Sequence, residues 1–399
     1  MRVLLFTGKG GVGKTTASAA TAALAASRGR KTLVLSTDPA HSLADAFGTR
    51  LGAEPTEIDT GLYGMQVDAQ RAFERTWREV QGYLLAVLER AGVDALQAEE
   101  LTVLPGAEEV LALLEVRNQV ASGRWDLVVV DCAPTGETLR LLALPEALNW
   151  YVEKVFPAQR RALRAIRPLL SRVAGPAVPA DGVFEAVERL HRELGDVRRT
   201  LTAPSTSVRL VLTPEAVVVA EARRTLTSLA LYGYRVDGLV ANRVFPAGTD
   251  DAPADDWRAG WVAAQAAQLD GVRRDVHPLP LLTSPYRPAE PVGLEALTAL
   301  GEELYGQADP GADAAPAEEL LGLERTSDGF VLALALPLAR RGDVGLTRSG
   351  DELVVTVGSH RRVLALPSAL KRCVVTGATL SEGRLAIRFE PDPDLWMRP

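Results

Sequence analysis

The stretch that most constrains this chain is Gly8-Lys9-Gly10-Gly11-Val12-Gly13-Lys14-Thr15-Thr16. It follows the apolar run Val3-Leu4-Leu5-Phe6 and precedes an alanine-rich segment, Ala17 to Ala26. A short apolar run, a glycine turn and a row of strong helix formers predict a buried strand, a tight loop and a helix. The spacing of Gly8, Gly13, Lys14 and Thr15 fits the phosphate loop G-x-x-x-x-G-K-[ST]. In such a loop the backbone N–H groups curl around a triphosphate, and the helix N-terminus adds partial positive charge. Lys14 is expected to reach the outer phosphates, and the Thr15 hydroxyl to ligate magnesium. Gly8-x-Gly10-x-x-Gly13 also satisfies the dinucleotide fingerprint, but a Rossmann turn has no use for the lysine and hydroxyl that follow. A nucleoside triphosphate is therefore the expected ligand.

Of the 44 basic residues only five are lysine: Lys9, Lys14, Lys31, Lys154 and Lys371. Two of the five stand in this one loop, where an arginine would differ in shape and donor geometry. Lys9 also departs from the common phosphate loop. Phosphates already served by Lys14 leave it little to do in its own subunit. It is placed to reach the nucleotide of a facing copy, as an arginine finger supplied in trans does. Homodimerisation across the nucleotides is the expectation.

Along the chain, Lys31 to Ser36 reads as a second strand ending in Thr37-Asp38-Pro39-Ala40-His41-Ser42, and Tyr63 to Val67 as an edge strand. Helices are expected over 69–92 and about 107–121. Leu127 to Val130 closes on Asp131, an acid where phosphate-loop enzymes hold magnesium, and Pro134-Thr135-Gly136 follow in a turn. Gly136 could sense a γ-phosphate, since it has no side chain to block the approach. Residues 146–200 read as helical; their apolar face is either core or a mobile surface offered to a client. Val208 to Leu212 is a strand. Thr213-Pro214-Glu215 supplies a cap, a first-turn proline and an acid for a helix to Gly233. Val236 to Ala241 is a strand ending at Asn242-Arg243. Residues 255–271 are helical, Val276 to Pro280 is a proline-rich loop, and Gly293 to Tyr305 is a helix. Alternating strands and helices predict an α/β, doubly wound, mostly parallel sheet over residues 1–305. Residues 306–319 read as an acidic flexible linker. Beyond it the period becomes two, which predicts a small all-β sandwich over 320–391.

A net charge of −7 argues against a nucleic-acid partner. No apolar run approaches the ~18 residues a membrane span needs. The chain opens directly on a strand, so no signal peptide is expected, and a cytoplasmic setting is. Cys132 and Cys373 form no C-x-x-C pair, so no zinc is expected.

Taken together, Gly8 to Thr15, Asp38-Pro39-Ala40-His41-Ser42 and Asp131-x-Ala133-Pro134-Thr135-Gly136-x-Thr138-Leu139-Arg140 resemble the deviant phosphate-loop ATPases. These include the arsenite-pump ATPase and the tail-anchored-protein targeting ATPase. Thr213-Pro214-Glu215 and Val240-Ala241-Asn242-Arg243 extend the resemblance to about residues 1–305. It implies ATP and Mg2+ as cofactors, with Gly8 to Thr16 on the phosphates and Lys9 acting across a dimer. It also implies Asp38 polarising the attacking water, and Thr15, Asp38 and Asp131 around magnesium. Asn242 would read the adenine, with Glu215 and Arg243 nearby and the 276–291 loop over the base. The tail resembles an α-crystallin-like (small heat-shock) domain through Gly377-Ala378-Thr379-Leu380-x-x-Gly383-x-Leu385-x-Ile387. The chain departs from the resemblance in lacking a cysteine cluster, a zinc pair and a methionine-rich groove. Three functions remain in view: a switch that targets an apolar or membrane-protein client, the motor of a metalloid or anion transporter, and a partitioning ATPase. Membrane contact is expected to be peripheral and made only through a partner.

Overall fold

The computed structural model describes residues 1–38, 42–67, 107–133, 192–246, 256–312 and 319–396. The helices expected over 69–92 and in most of 146–200 lie outside these residues, as do Pro39 to His41 and Pro134, Thr135 and Gly136. Residues 192–201 are helical.

The apolar runs become the strands of one eight-stranded sheet. In chain order they are β1 (Arg2–Thr7), β2 (Thr32–Ser36), β3 (Thr56–Asp59), β4 (Leu62–Gln66), β5 (Leu127–Asp131), β6 (Thr206–Leu212), β7 (Val236–Val244) and β8 (Leu281–Pro285). The spatial order is β3-β4-β2-β5-β1-β6-β7-β8, and every pair is parallel except β3 with β4. β1, β2, β5 and β6 are buried along their whole length, as strands covered on both faces must be. Because β5 inserts between β2 and β1, the loops after β1, β2 and β5 leave the same sheet edge side by side. Ligands of open α/β sheets bind in such a crevice at the carboxyl ends of the strands.

The helices are α1 (Lys14–Ser27), α2 (Ser42–Phe47), α3 (Ala107–Ala121), α4 (Ala216–Tyr232), α5 (Asp256–Val276) and α6 (Leu294–Tyr305). Half of α1 is alanine, which lets α6 approach closely, and Thr21 Oγ1 lies 2.7 Å from Tyr305 Oη across that contact. Arg209 donates to the same Tyr305 oxygen at 2.9 Å and pairs with Asp237, which also pairs with Arg2 at 2.9 Å. One buried network thereby ties β1, β6, β7 and α6 together.

Four expectations need correction. β4 is an interior strand, and β3 is the edge outside it. Residues 281–285, expected as part of a loop, form β8, because a five-residue edge strand ending in Pro285 carries little periodic signal. α4 begins after Glu215, whose extended backbone (φ −109°, ψ 139°) fills the cap position without a side-chain bond. Thr213 is therefore not the cap. The first half of the expected flexible linker is held down. Arg28 donates to the Ala308 carbonyl at 2.6 Å and to that of Gly306, Arg30 pairs with Asp309, and Arg2 Nε donates to the Ala312 carbonyl at 3.3 Å.

The tail consists of β9 (Leu321–Arg325), β10 (Phe330–Ala335), β11 (Val344–Ser349), β12 (Glu352–Val357), β13 (His360–Ala365), a short α7 (Ser368–Lys371), β14 (Cys373–Ser381) and β15 (Arg384–Pro391). It forms a four-stranded sheet, β14-β15-β10-β9, and a three-stranded one, β11-β12-β13, both antiparallel. Leu334, Leu353, Val355, Ile387 and Phe389 fill the core with their alternate positions. Leu231, from the last turn of α4, belongs to that same core. Thr227 Oγ1 donates to the Pro337 carbonyl at 2.6 Å, and the buried Arg362 donates to the Leu231 carbonyl at 2.6 Å. The sandwich is thus seated on the C-terminal half of α4. Among the described residues no helix is long and apolar enough to cross a membrane.

Candidate functional site

The phosphate loop joins β1 to α1, and two of its glycines are fixed by their surroundings. A Cβ on Gly8 would overlap the Val211 carbonyl oxygen, so β6 packs directly on the loop backbone. Gly13 caps α1 in the left-handed region (φ 92°), and a Cβ there would overlap the Asn242 side-chain amide. Asn242 Nδ2 donates to the Val12 carbonyl at 2.9 Å, while its Oδ1 accepts from the Arg243 N–H at 2.9 Å. The asparagine at the end of β7 therefore clamps the loop. One amide hydrogen and one lone pair remain for another partner.

Asp131 ends β5 with no solvent exposure. Its Oδ2 accepts from Thr15 Oγ1 at 2.8 Å and from Ser36 Oγ at 3.3 Å. Its Oδ1 is buried and has no hydrogen-bond partner among the described residues. Burial pushes the carboxyl up to about 7; the Thr15 bond and the Lys14 charge oppose this, and the Asp38 charge adds to it. Asp38 is coupled in through its backbone, whose N–H donates to Ser36 Oγ at 3.1 Å. Thr15 Oγ1 lies 3.5 Å from Ser42 Oγ at the start of α2. Ser36 thus joins the end of β2 to Asp131, a role that its place as the last residue of an apolar run did not announce.

A buried, undonated carboxylate oxygen beside a threonine hydroxyl is an oxygen donor set that suits a hard divalent cation. The residues present fit magnesium. The two loop lysines differ in setting: the buried Lys14 has its Nζ 3.5 Å from the Lys9 carbonyl, and the partly exposed Lys9 has its Nζ 3.9 Å from Glu221 Oε2 on α4.

Beside the loop opens a cleft of about 610 Å³, lined by Thr15, Thr16, Asn242 and Arg243 on one side and by residues 284–292 on the other. Tyr286 of its outer wall stacks on Phe245 at 5.2 Å with rings nearly parallel. Gln265 of α5 accepts from the Phe245 N–H at 2.7 Å and donates to the Arg243 carbonyl at 3.2 Å. It fixes the end of β7, where Arg243 takes a positive φ of 57°. Gln265 was not legible in sequence, since nothing in a polar helix marks one glutamine as a staple. Glu215 is exposed at the start of α4 and does not line the cleft.

The model of the anion-transporting ATPase family matches residues 1–306. The chain belongs to this family. It is an ATP hydrolase. A second model, described as the HSP20-like domain found in ArsA, matches residues 327–389, the β-sandwich. The chain is 41% identical over 403 residues to an uncharacterized protein of Streptomyces coelicolor, covering the whole of both chains. It is 36% identical to a putative arsenical pump-driving ATPase of Prosthecochloris vibrioformis, covering 98% of this chain and 96% of that one. An ATPase ASNA1 homolog of Cryptosporidium parvum is 33% identical over 253 residues, 61% of this chain and 66% of its own. Both parts of the chain, the parallel sheet and the β-sandwich, are thus matched by family models.

Proposed function

We propose that this ATPase is a magnesium-dependent, homodimeric nucleotide switch that couples ATP hydrolysis to the binding or targeting of an apolar or membrane-protein client in the cytoplasm. The observation that carries the nucleotide half is the Thr15–Asp131 pair with its undonated Oδ1. Thr15 and Asp131 would hold the cation, with Asp38 close by through Ser36. Bound there, magnesium would neutralise charge developing on the phosphates. Lys14 would exchange the Lys9 carbonyl for the outer phosphates, and the loop amides from Gly8 to Thr16 would cradle them. Asp38 would orient the attacking water. The unused amide hydrogen and lone pair of Asn242 suit an adenine edge, and the flat Tyr286 wall of the cleft suits its face. Arg243 borders the same cleft, whereas Glu215 would act only from its rim. Lys9 would complete the site of a facing subunit.

Support for the client half is analogy: an HSP20-like domain rides on the ATPase. Mixing subunits tests the dimer. Lys9→Ala and Lys14→Ala, each inactive alone, are expected to recover activity together, because one site of the mixed dimer is intact. No recovery at any mixing ratio would overturn the trans role. Asp38→Asn with ATP should trap the closed form and retain an apolar segment of a membrane protein. Recovery of none overturns the client reading.

The names of several relatives favour a second reading, the motor of a metalloid or anion transporter. Direct thiolate sensing is not supported by the cysteines, because burial pushes the Cys132 and Cys373 thiols up from their ordinary value. Turnover stimulated by arsenite in the Cys132→Ala, Cys373→Ser protein would favour a transporter role without thiol sensing.

A further inference from the structure

The Lys9 ammonium has a specific acceptor on its own subunit. Glu221 lies in the second turn of α4, and that part of the helix is pressed against the back of the phosphate loop. Val218, Ala222 and Thr225 face Gly8 and Val211 across a void of only about 10 Å³, room for one water at most. Lys9 is therefore engaged at both ends: its carbonyl lies by the Lys14 ammonium, and its own ammonium by the Glu221 carboxylate. We propose that Glu221 is a positioning residue, an acid that keeps the Lys9 ammonium on its own subunit until the nucleotide of a facing copy competes for it. The inference rests on the trans role of Lys9 given above.

The strength of the pair suits such a latch. Both side chains are partly exposed, Lys9 at 41% and Glu221 at 31%, and they meet at 3.9 Å. A partly solvated pair of this kind is weak and screened by salt. A triphosphate presents several negative charges at the same reach, so it draws the lysine away without a large penalty. Release also frees the loop-facing half of α4 from its one ion pair to the loop among the described residues.

Glu221→Gln keeps the shape of the side chain and removes its charge. At low salt the ATP concentration for half-maximal dimer formation is expected to fall about two- to five-fold, the ratio a weak exposed pair can supply. The KM for ATP falls with it, and kcat moves less. At about 1 M salt, where the Debye length is ~3 Å, the difference from wild type closes, because the wild-type pair is already screened open. In a Lys9→Ala background, where dimer formation is lost, the substitution leaves ATP binding by the single subunit unchanged. If Lys9→Ala abolishes ATP-driven dimerisation while Glu221→Gln behaves as wild type at low salt, the latch is overturned and the dimer stands. A shift that persists at high salt, or without Lys9, makes Glu221 a packing residue and also overturns the latch. If Lys9→Ala dimerises and turns over normally, the trans role beneath the inference fails.

Discussion

At the residue scale the unusual group is Asp131, a carboxyl with no exposure and one oxygen without a donor among the described residues. Its pKa is about 7 in the folded chain and ~3.9 when unfolded. Its contribution to stability is thus complete below about pH 4 and is lost as pH rises through about 7. The nucleotide-free protein should gain from Asp131→Asn at pH 8, by up to ~4 kcal/mol, and gain nothing at pH 4. Thermal denaturation of both proteins across that range checks the sign; an asparagine variant less stable at pH 8 contradicts it. The same variant should lose magnesium-dependent turnover. Gly13→Ala places a methyl on the Asn242 amide at a φ of 92°, at a cost of about 1–3 kcal/mol. More than ten-fold weaker ATP binding, followed by calorimetry, is the expected result.

Which residues were legible follows from the same chemistry. That Gly8, Gly13, Lys14, Thr15 and Asp131 lie close together could be read because a glycine turn between strand and helix, and an acid closing a central strand, leave sequence-local marks. Ser36 and Gln265 could not. Their roles come from partners 95 and 20 residues away, and a serine or glutamine looks the same with or without them.

At the scale of elements, the strands buried on both faces were read correctly because a continuous apolar run has few other uses. The edge strands β3 and β8 lack that signal, being short, polar or bounded by proline. In the tail, β10, β12, β13 and β15 each bury two or more side chains, whereas β9, β11 and β14 bury at most one and carry a weaker signal. The seat of the tail on α4 was invisible, since it joins residues more than a hundred positions apart. It rests on Arg362, whose guanidinium meets the carbonyl of Leu231 at a helix C-terminus, where a cation is favoured. Arg362→Met removes the donor and leaves that buried carbonyl without it. Unfolding in urea should show a loss of about 1–3 kcal/mol. A variant as stable as wild type means that the apolar contact alone holds the tail.

At the scale of the molecule, the ATPase sheet and the sandwich share a wall, because Leu231 of one completes the core of the other. A chain cut after Ala312 should keep its parallel sheet yet expose Leu231 and Tyr232. Its melting temperature should fall, and its binding of an apolar dye should rise. Equal values for the cut and full-length chains would mean that the shared wall contributes nothing to stability. The pinned start of the linker carries a further consequence. Arg2, Arg28 and Arg30 hold the chain as far as Ala312, and the sandwich resumes by Glu319. Those seven peptide steps reach at most about 25 Å. A sandwich lifted off α4 is on a short leash, and it meets its own seat at an effective concentration near the millimolar range. Any outside partner for that surface must outbid a neighbour that never leaves.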